Sequence, residues 1–555
     1  MDIRKKTLRY LFDYCTTTFA QNRSFCSIDG TEYSYKEFGE KTIEVASLLE
    51  KYGIKPGDKV GILSQNMPNW PIAYFSVTAF GMIAVPMLPD FSESDVKHIL
   101  KHSECKALFV SNRLYPKVLE KARGRVSLII NIETFEIYKG EPTNEEVSLL
   151  EADRINTEDL VAIIYTSGTT GNSKGVMLSN KNLCANLYSN MELRPSFEWD
   201  VWLSLLPLPH TYESSLGMLL PMTAGASVYY LDKLPTPNIL MSALKKIRPT
   251  TMLAVPLIIE KIYKNGVLPK IAKNKITNIL YRTSLGRKLI HRKAGKELFN
   301  KFGGNIRFLG IGGAKLDANV ERFLYEGKFP YAIGYGMTEA SPLIAGSTTS
   351  TVKLQSTGPA CAGVTLIIDS PNPFTGEGEI MVKGDNIMMG YYKNPEATAS
   401  ALTDNGWLKT KDLGLIDKKG RLFIKGRLNN TIIGPSGENI YPEDIEVVIN
   451  SHDLVEESIV TEDRGRLTAI VHFNQEKLKS LINTKDDLKQ SAQEKIENLK
   501  KELMDYVNQK VNKFSKISNV DPQDEAFEKT ATHKIKRYLY TKKYIDKKEA
   551  KKTRN

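Results

Sequence analysis

Between Tyr165 and Val176 the chain reads YTSGTTGNSKGV. Hydroxyls and glycines crowd the first half of this stretch, as Thr166, Ser167, Gly168, Thr169, Thr170 and Gly171, and Lys174 follows. Glycines let a backbone turn sharply and come close to a ligand. Exposed N–H groups and hydroxyls line anion cradles, and a lysine adds a mobile positive charge. The chemistry is phosphate binding. The spacing is not that of the Walker loop, which needs four residues between its glycines and then Gly-Lys-Ser/Thr; here Ser173 precedes Lys174 and Gly175 follows it. A Ser/Thr/Gly linker has a similar composition, but the apolar run LVAII just upstream reads as a buried strand that would position a loop.

Two further segments carry groups a nucleotide could use. In YAIGYGMTEASP, Tyr335 stands between Gly334 and Gly336. A ring so flanked can lie flat against a base, because nothing beside it blocks the approach. Thr338 and Glu339 come next, a hydroxyl and a carboxylate of the hard-oxygen kind that suits Mg²⁺ near a triphosphate. In GWLKTKDL, Asp412 offers two oxygens, enough to accept from two ribose hydroxyls. His98 and His102 are four apart on a predicted helix. No glutamate follows the first in the zinc-protease pattern, so they read as a helix face rather than a metal site.

The elements that must hold these groups follow from periodicity. Over residues 1 to about 150, helix-like segments such as Tyr35–Tyr52 alternate with short strands such as KVGIL and ALFV, which predicts a doubly wound α/β layer. Strands are predicted near 202, at Ser227–Leu231 and Thr251–Val255, within Ile306–Leu316 running into Gly312-Gly313-Ala314, and within Tyr331–Pro342 ending at the glycine-bracketed tyrosine, with a helix at Pro237–Ile247. From about 345 to 425 short β-like pieces alternate with Gly, Pro, Asn and Asp turns, predicting a small barrel or sandwich. A last unit carries the strands EESIVTED and RLTAIVHF and a charged helical insert at roughly Gln475–Phe514.

The chain has 555 residues, too many for a single core, and a net charge of +12. The basic run at Gly266–Phe302 and the C-terminal KKYIDKKEAKKTRN read most simply as solvated, with weak attraction to an anionic membrane as the competing reading. No nucleic-acid module is visible. Five scattered cysteines without CxxC suit a reducing cytoplasm. The uncharged run Gln65–Pro89 is broken by Asn66, Pro68, Asn69, Pro71, Gly81 and Pro86, so it reads as a buried helix and strand, not a membrane span.

These motifs, in this order, resemble the adenylate-forming (AMP-binding) superfamily of acyl-CoA synthetases, peptide-synthetase adenylation domains and luciferases. The resemblance runs from about 30 to 540. It implies an α/β fold: a large N-terminal domain (1–428) of two α/β layers plus a small β-barrel (about 345–425), and a smaller mobile α+β C-terminal domain (429–555). It implies a phosphate loop at Thr166–Gly171 with Lys174, Gly313 and Ala314 flanking the base, Tyr335 on adenine, Thr338 on the phosphate, Glu339 on Mg²⁺, Asp412 on the ribose and Arg427 on the nucleotide. His210, in PLPHTYE, would border the substrate carboxylate and the thiol. Asn429 falls at the hinge, Gly437 lines the thiol channel, and Lys534 matches the mobile catalytic lysine.

The chain departs from the usual motifs at Ser173 (usually Pro), Lys411 (usually Gly), Asn429 (usually Asp or Lys), and at Glu528 and His533 (usually Pro and Gly). The implied reaction uses ATP and Mg²⁺ to turn a carboxylic acid into an acyl-adenylate, then passes the acyl group to coenzyme A. PLPHTYE, NNTIIGPSGENIYP and the C-terminal insert look most like medium- to long-chain fatty acyl-CoA synthetases. Alternatives are transfer to an acyl-carrier protein, activation of an aryl acid, or a non-catalytic, membrane-associated nucleotide-binding module. The expected location is cytoplasmic, peripheral to the inner membrane face if the basic segments bind lipid.

Overall fold

The structure is a computed structural model, and it describes residues 2–118, 124, 126–166, 173–231, 236–272, 275–434, 439–463, 466–482, 492–530 and 534–541. Within these residues two eight-stranded sheets dominate. One runs, edge to edge, through Gly390–Tyr391, Lys174–Ser179, Leu160–Thr166, Ile83–Met87, Lys59–Leu63, Ala107–Val110, Leu128–Asn131 and Ile137–Lys139. The strands from Leu160–Thr166 through Leu128–Asn131 are parallel, and the four after Leu160–Thr166 are almost wholly buried. Sequences like IAVPM and ALFV are therefore apolar on both faces, as strands covered by helices on each side must be.

The second sheet runs Leu343–Gly346, Tyr331–Gly336, Phe308–Ile311, Thr251–Ala254, Val201–Ser204, Ser227–Tyr230, Arg23–Ser27 and Glu32–Ser34. It is parallel from Tyr331–Gly336 through Arg23–Ser27.

Helix entry is fixed locally. Ser34 and Glu37 form a reciprocal capping box at Tyr35–Lys51, and Ser92 with Asp95 and Ser179 with Asn182 do the same for two later helices. The run Gln65–Pro89 becomes the buried helix Asn69–Thr78 and the strand Ile83–Met87. Among the described residues no helix is long and apolar enough to cross a membrane. All five cysteines are free and buried.

The predicted barrel is a correction. Val364–Asp369, Gly378–Gly384, Leu408–Ile416 and Leu422–Arg427 form an antiparallel four-stranded sheet that stays open, with the first and last strands as its edges. Alternation of short strands and turns is common to open and closed meanders, so the pattern could not separate them.

The last unit is a three-stranded sheet, Val455–Asp463, Arg466–Phe473 and Asn519–Pro522. The charged insert supplies helices Gln475–Ile482 and Ala492–Asn508. The second of these buries Leu499, Leu503 and Val507, spaced four apart, into the small core.

Candidate active site

Two turns open side by side at the carboxyl ends of adjacent parallel strands, the usual location of ligands in such sheets. Phe308–Ile311 leads into Gly312-Gly313-Ala314, and Tyr331–Gly336 leads into Met337, Thr338 and Glu339; Ile311 and Ile333 are register partners. Gly313 has φ +87°, a conformation open to glycine at no cost, and both it and Ala314 are exposed. Tyr335 packs at the end of its strand, and its hydroxyl donates to Asp412 Oδ2 at 2.7 Å. Burial first, then the neighbouring carboxylate, pushes the Tyr335 pKa well above its ordinary value, so it remains a donor.

Asp412 is only 6% exposed. Its backbone N–H donates to Thr410 Oγ1 at 3.1 Å, and Arg427 Nε lies 3.1 Å from Oδ1. Asp412 and Arg427 face each other in the ladder between Leu408–Ile416 and Leu422–Arg427, so the sheet register itself sets the pair. Oδ2 accepts from Tyr335, Oδ1 is ion-paired with Arg427, and each oxygen keeps a lone pair for a hydroxyl. Lys411 has φ +60°. This left-handed conformation explains why the motif usually has glycine there: the backbone must twist to turn Asp412 inward, and a Cβ makes that twist costly.

The residues expected on the phosphates stand on the other large sheet. Thr166 and Lys174 are register partners where strands Leu160–Thr166 and Lys174–Ser179 part. Ser167, Gly168, Thr169, Thr170 and Gly171 lie outside the described residues. Lys174 Nζ sits 5.0 Å from the centre of the Tyr391 ring, and the Tyr391 hydroxyl donates to Glu339 Oε1 at 2.8 Å. One tyrosine therefore joins the cation of the first sheet to the carboxylate of the second. Sequence reasoning missed Tyr391. It belongs to a two-residue strand, Gly390–Tyr391, paired to Lys174–Ser179, and so short a strand has no periodicity to detect.

Glu339 Oε2 has no hydrogen bond among the described residues, and no cluster of three His, Cys, Asp or Glu there could hold a metal alone. One carboxylate beside a hydroxyl suits Mg²⁺ shared with substrate phosphates, the usual mode for that ion.

His210 starts a tight turn: Glu213 N and Ser214 N donate to its carbonyl, at 3.0 Å each. Tyr212 N donates to His210 Nδ1 at 3.2 Å, which leaves the ring proton on Nε2. Burial, and then the nearby charge of Lys534, lowers its pKa to about 4, so the ring is neutral at ordinary pH. Glu213, also in PLPHTYE, was not singled out from the sequence. It is buried at the start of the π-helical turn Glu213–Leu219, and burial raises its pKa to about 8. His98 and His102 stack on one helix face, and His102 Nδ1 hydrogen-bonds the Tyr165 hydroxyl at 2.7 Å.

Lys534 reaches this cleft from the far end of the chain. Thr530 N donates to the Lys534 carbonyl at 2.8 Å, Lys534 N donates to Thr530 Oγ1 at 3.2 Å, and Lys529 bridges Ile535. Behind the turn, Arg537 forms a two-pronged bond to Glu446, at 2.7 and 2.6 Å. The Lys534 residue is open to solvent along the cleft, yet its ammonium is crowded by the surrounding walls. That burial, followed by the like charge of Arg427, lowers its pKa from the usual lysine value; Asp412 and Glu339 pull the other way.

The unit carrying Lys534 is docked by polar contacts. Lys264 Nζ donates to the carbonyls of Asn450, His452 and Val455 at 3.4, 2.8 and 3.2 Å. Lys315 pairs with Asp444 at 2.5 Å, and the Tyr441 hydroxyl donates to Glu377 at 2.7 Å. Asn429 is exposed in the single turn Leu428–Asn430 that follows Arg427. Gly437 lies outside the described residues.

Residues 15–392 match the AMP-binding enzyme family, and residues 429–551 match the AMP-binding enzyme C-terminal domain. The chain belongs to the AMP-binding enzyme family.

This AMP-binding enzyme is 30% identical over 531 residues to the peroxisomal long chain acyl-CoA synthetase 7 of Arabidopsis thaliana, covering 85% of this chain and 74% of that one. It is 27% identical over 531 residues to the chloroplastic long-chain-fatty-acid–[acyl-carrier-protein] ligase AEE15 of the same plant, covering 80% of this chain and 72% of that one. Its fold matches that of O-succinylbenzoate coenzyme A synthetase from Bacillus subtilis, solved with ATP and magnesium ion, at a TM-score of 0.74 and 22% identity, over 95% of this chain and 98% of the other. The AMP-binding enzyme described here is an adenylate-forming acid–thiol ligase.

Proposed function

We propose that the enzyme activates a fatty acid with ATP and transfers the acyl group to coenzyme A. The observation that carries this reading is the meeting of Lys534 with Asp412, Arg427 and Glu339 in one cleft, beside a neutral His210. Tyr335 and the Gly313–Ala314 turn would hold adenine, and Asp412 the ribose. Lys174, Thr166, Thr338 and the Thr166–Gly171 loop would hold phosphates. Glu339 would hold Mg²⁺, which when bound neutralises phosphate charge.

In the first half-reaction a carboxylate oxygen forms a bond to the α-phosphorus and the bond to pyrophosphate breaks. Negative charge gathers on the α-phosphate oxygens, and Lys534 and Arg427 would meet it. The Nε2–H of His210 can donate to the substrate carboxylate and hold it for attack. In the second half-reaction a thiolate forms a bond to the acyl carbon and AMP leaves. Residues 1–428 and 429–555 would act as two bodies turning about Asn429, withdrawing Lys534 and bringing Gly437 to the thiol path.

The fatty chain as substrate is supported by the likeness to long-chain synthetases. The carrier-protein ligase among the relatives keeps acyl transfer to an acidic carrier as the second reading. The deciding experiment is ATP-dependent pyrophosphate release with fatty acids of graded length and an aryl acid, with coenzyme A, with acyl-carrier protein and with neither. Release that peaks with a long chain, followed by acyl-CoA, supports the reading. Preference for the aryl acid or for the carrier protein replaces it, and no release with any acid favours a non-catalytic nucleotide-binding module.

A further inference from the structure

The helices Lys275–Arg282 and Ser284–Lys301 meet at a tight corner. Thr283 Oγ1 donates to Leu280 O and accepts from Gly286 N, and a Cβ on Gly286 would lie 2.3 Å from Leu280 O, so only glycine permits the corner. The inner face of the second helix buries Gly286, His291, Gly295 and Leu298, packed against Ala318–Glu326 and the turn after it.

The outer face breaks the usual rule for a solvated helix. Leu285 is 72% exposed and Leu289 59%, one turn apart on one stripe; Ile279 and Leu280 on the other arm of the corner are 67% and 48% exposed. Four large aliphatic side chains are thus exposed on the two arms of one corner, where a soluble surface normally scatters them singly. The same stripe continues into Arg292, Lys293 and Lys296, with Arg282 and Lys288 beside the leucines; all five are exposed and none pairs with a carboxylate among the described residues. The nearby Glu297 is engaged by Lys270 and Lys301.

We infer that this corner is a docking surface for an anionic lipid bilayer, with Ile279, Leu280, Leu285 and Leu289 entering the acyl boundary and the cations lying among headgroups. An apolar tip followed along one stripe by cations is the pattern of helices that lie in a membrane interface. A second copy of the chain fits less well, because pairing this face with itself would bring the unpaired cations together. A nucleic acid would leave the four aliphatic groups without a partner.

The test uses the full chain and vesicles of phosphatidylcholine, with and without phosphatidylglycerol. Co-sedimentation should appear with the anionic vesicles and weaken with salt. Leu285→Asp with Leu289→Asp should lower partitioning by about tenfold while leaving the rate on a short, water-soluble acid unchanged, since neither residue is in the catalytic machinery. Leu289→Trp reads insertion directly, as a blue shift of its emission over the parent protein when anionic vesicles are added. That shift also separates this corner from the basic C-terminal run, which could hold vesicles without burying residue 289. Binding without the blue shift, equal binding to both vesicle types, or no binding overturns the proposal. So does a concentration-dependent dimer that the double substitution abolishes.

Discussion

The proposed ribose clamp and the Lys534 arm share one cleft but are held in opposite ways. Asp412, Arg427 and Tyr335 sit on two sheets, and their contacts are written into strand register: Asp412 faces Arg427 across a ladder, and Tyr335 ends a strand of the large sheet. Lys534 comes from a short turn 122 positions along the chain, steadied by the Arg537–Glu446 pair and docked through Lys264, Lys315 and Tyr441. The groups proposed to hold the nucleotide are fixed by strand register. Lys534, proposed to meet charge during adenylation, is instead carried by a unit docked through polar contacts.

The largest effect should come from the arm. Lys534→Ala should slow acyl-adenylate formation by roughly a hundredfold to a thousandfold, the loss seen when one preorganised charge partner is removed. Thioester formation from added acyl-adenylate should be spared. Equal loss in both half-reactions, measured separately, would mean that Lys534 is structural and erase the contrast. Asp412→Ala should act on binding: a weaker apparent affinity for ATP, by about tenfold for one lost charge-assisted hydrogen bond, with Tyr335 and Arg427 left to find water.

Lys264 tests the docking. Its ammonium fills the carbonyl end of helix Pro442–Asn450, where a cation also meets the negative end of the helix dipole. Burial lowers its pKa, so the contact is made at some desolvation cost and should be marginal. Lys264→Met, which keeps the apolar stem, should lower the adenylation rate several-fold and leave the thioester step unchanged or faster. A uniform fall in both rates would mean that docking does not select between the two arrangements.

Glu213 offers a pH test on the rigid side. Its pKa rises from an ordinary carboxylate value of 4.5 to about 8 in the folded protein. Between these values the unfolded chain ionises and the folded one does not, so stability falls as pH rises from about 5 to 8 and levels off above. Glu213→Gln should flatten that slope in melting curves, by up to about 4 kcal/mol at pH 8. An unchanged slope would mean that the carboxyl is already ionised at its buried position.

How much of this was legible in the sequence differs between the two regions for a physical reason. The large sheets were readable because buried parallel strands must be apolar throughout, as in KVGIL and ALFV, and helices between them have caps and spacing. Tyr335 and Asp412 stood out because their chemistry suits a nucleoside, and the structure brings the two side chains together. Tyr391 was invisible, since its role is a meeting of two sheets and its strand is too short to show a period. Glu213 stood in a motif already noticed, but only burial reveals it. The docking of Lys264 on helix Pro442–Asn450 depends on how two units sit together, which no local pattern encodes. The open edge of the four-stranded sheet is likewise a matter of register between distant strands.

The smallest effect concerns the one place where the rigid clamp carries strain. Lys411 has φ +60° directly before Asp412, and its N–H donates to Glu379 Oε1 at 3.0 Å. The left-handed backbone turns Asp412 inward between Tyr335 and Arg427. A side chain there costs about 1–2 kcal/mol relative to a right-handed residue, and a β-branched one costs more. Lys411→Gly relieves the steric term but frees the unfolded chain, so its net stabilisation should be small, at most about 1 kcal/mol. Lys411→Val should instead destabilise by roughly 2 kcal/mol and weaken ATP binding, because the carboxylate would lose its aim. Thermal melts and ATP titrations on this pair separate strain from charge: if glycine and valine behave alike, the Lys411 backbone is not what aims Asp412, and the clamp owes its geometry to the ladder with Arg427 alone.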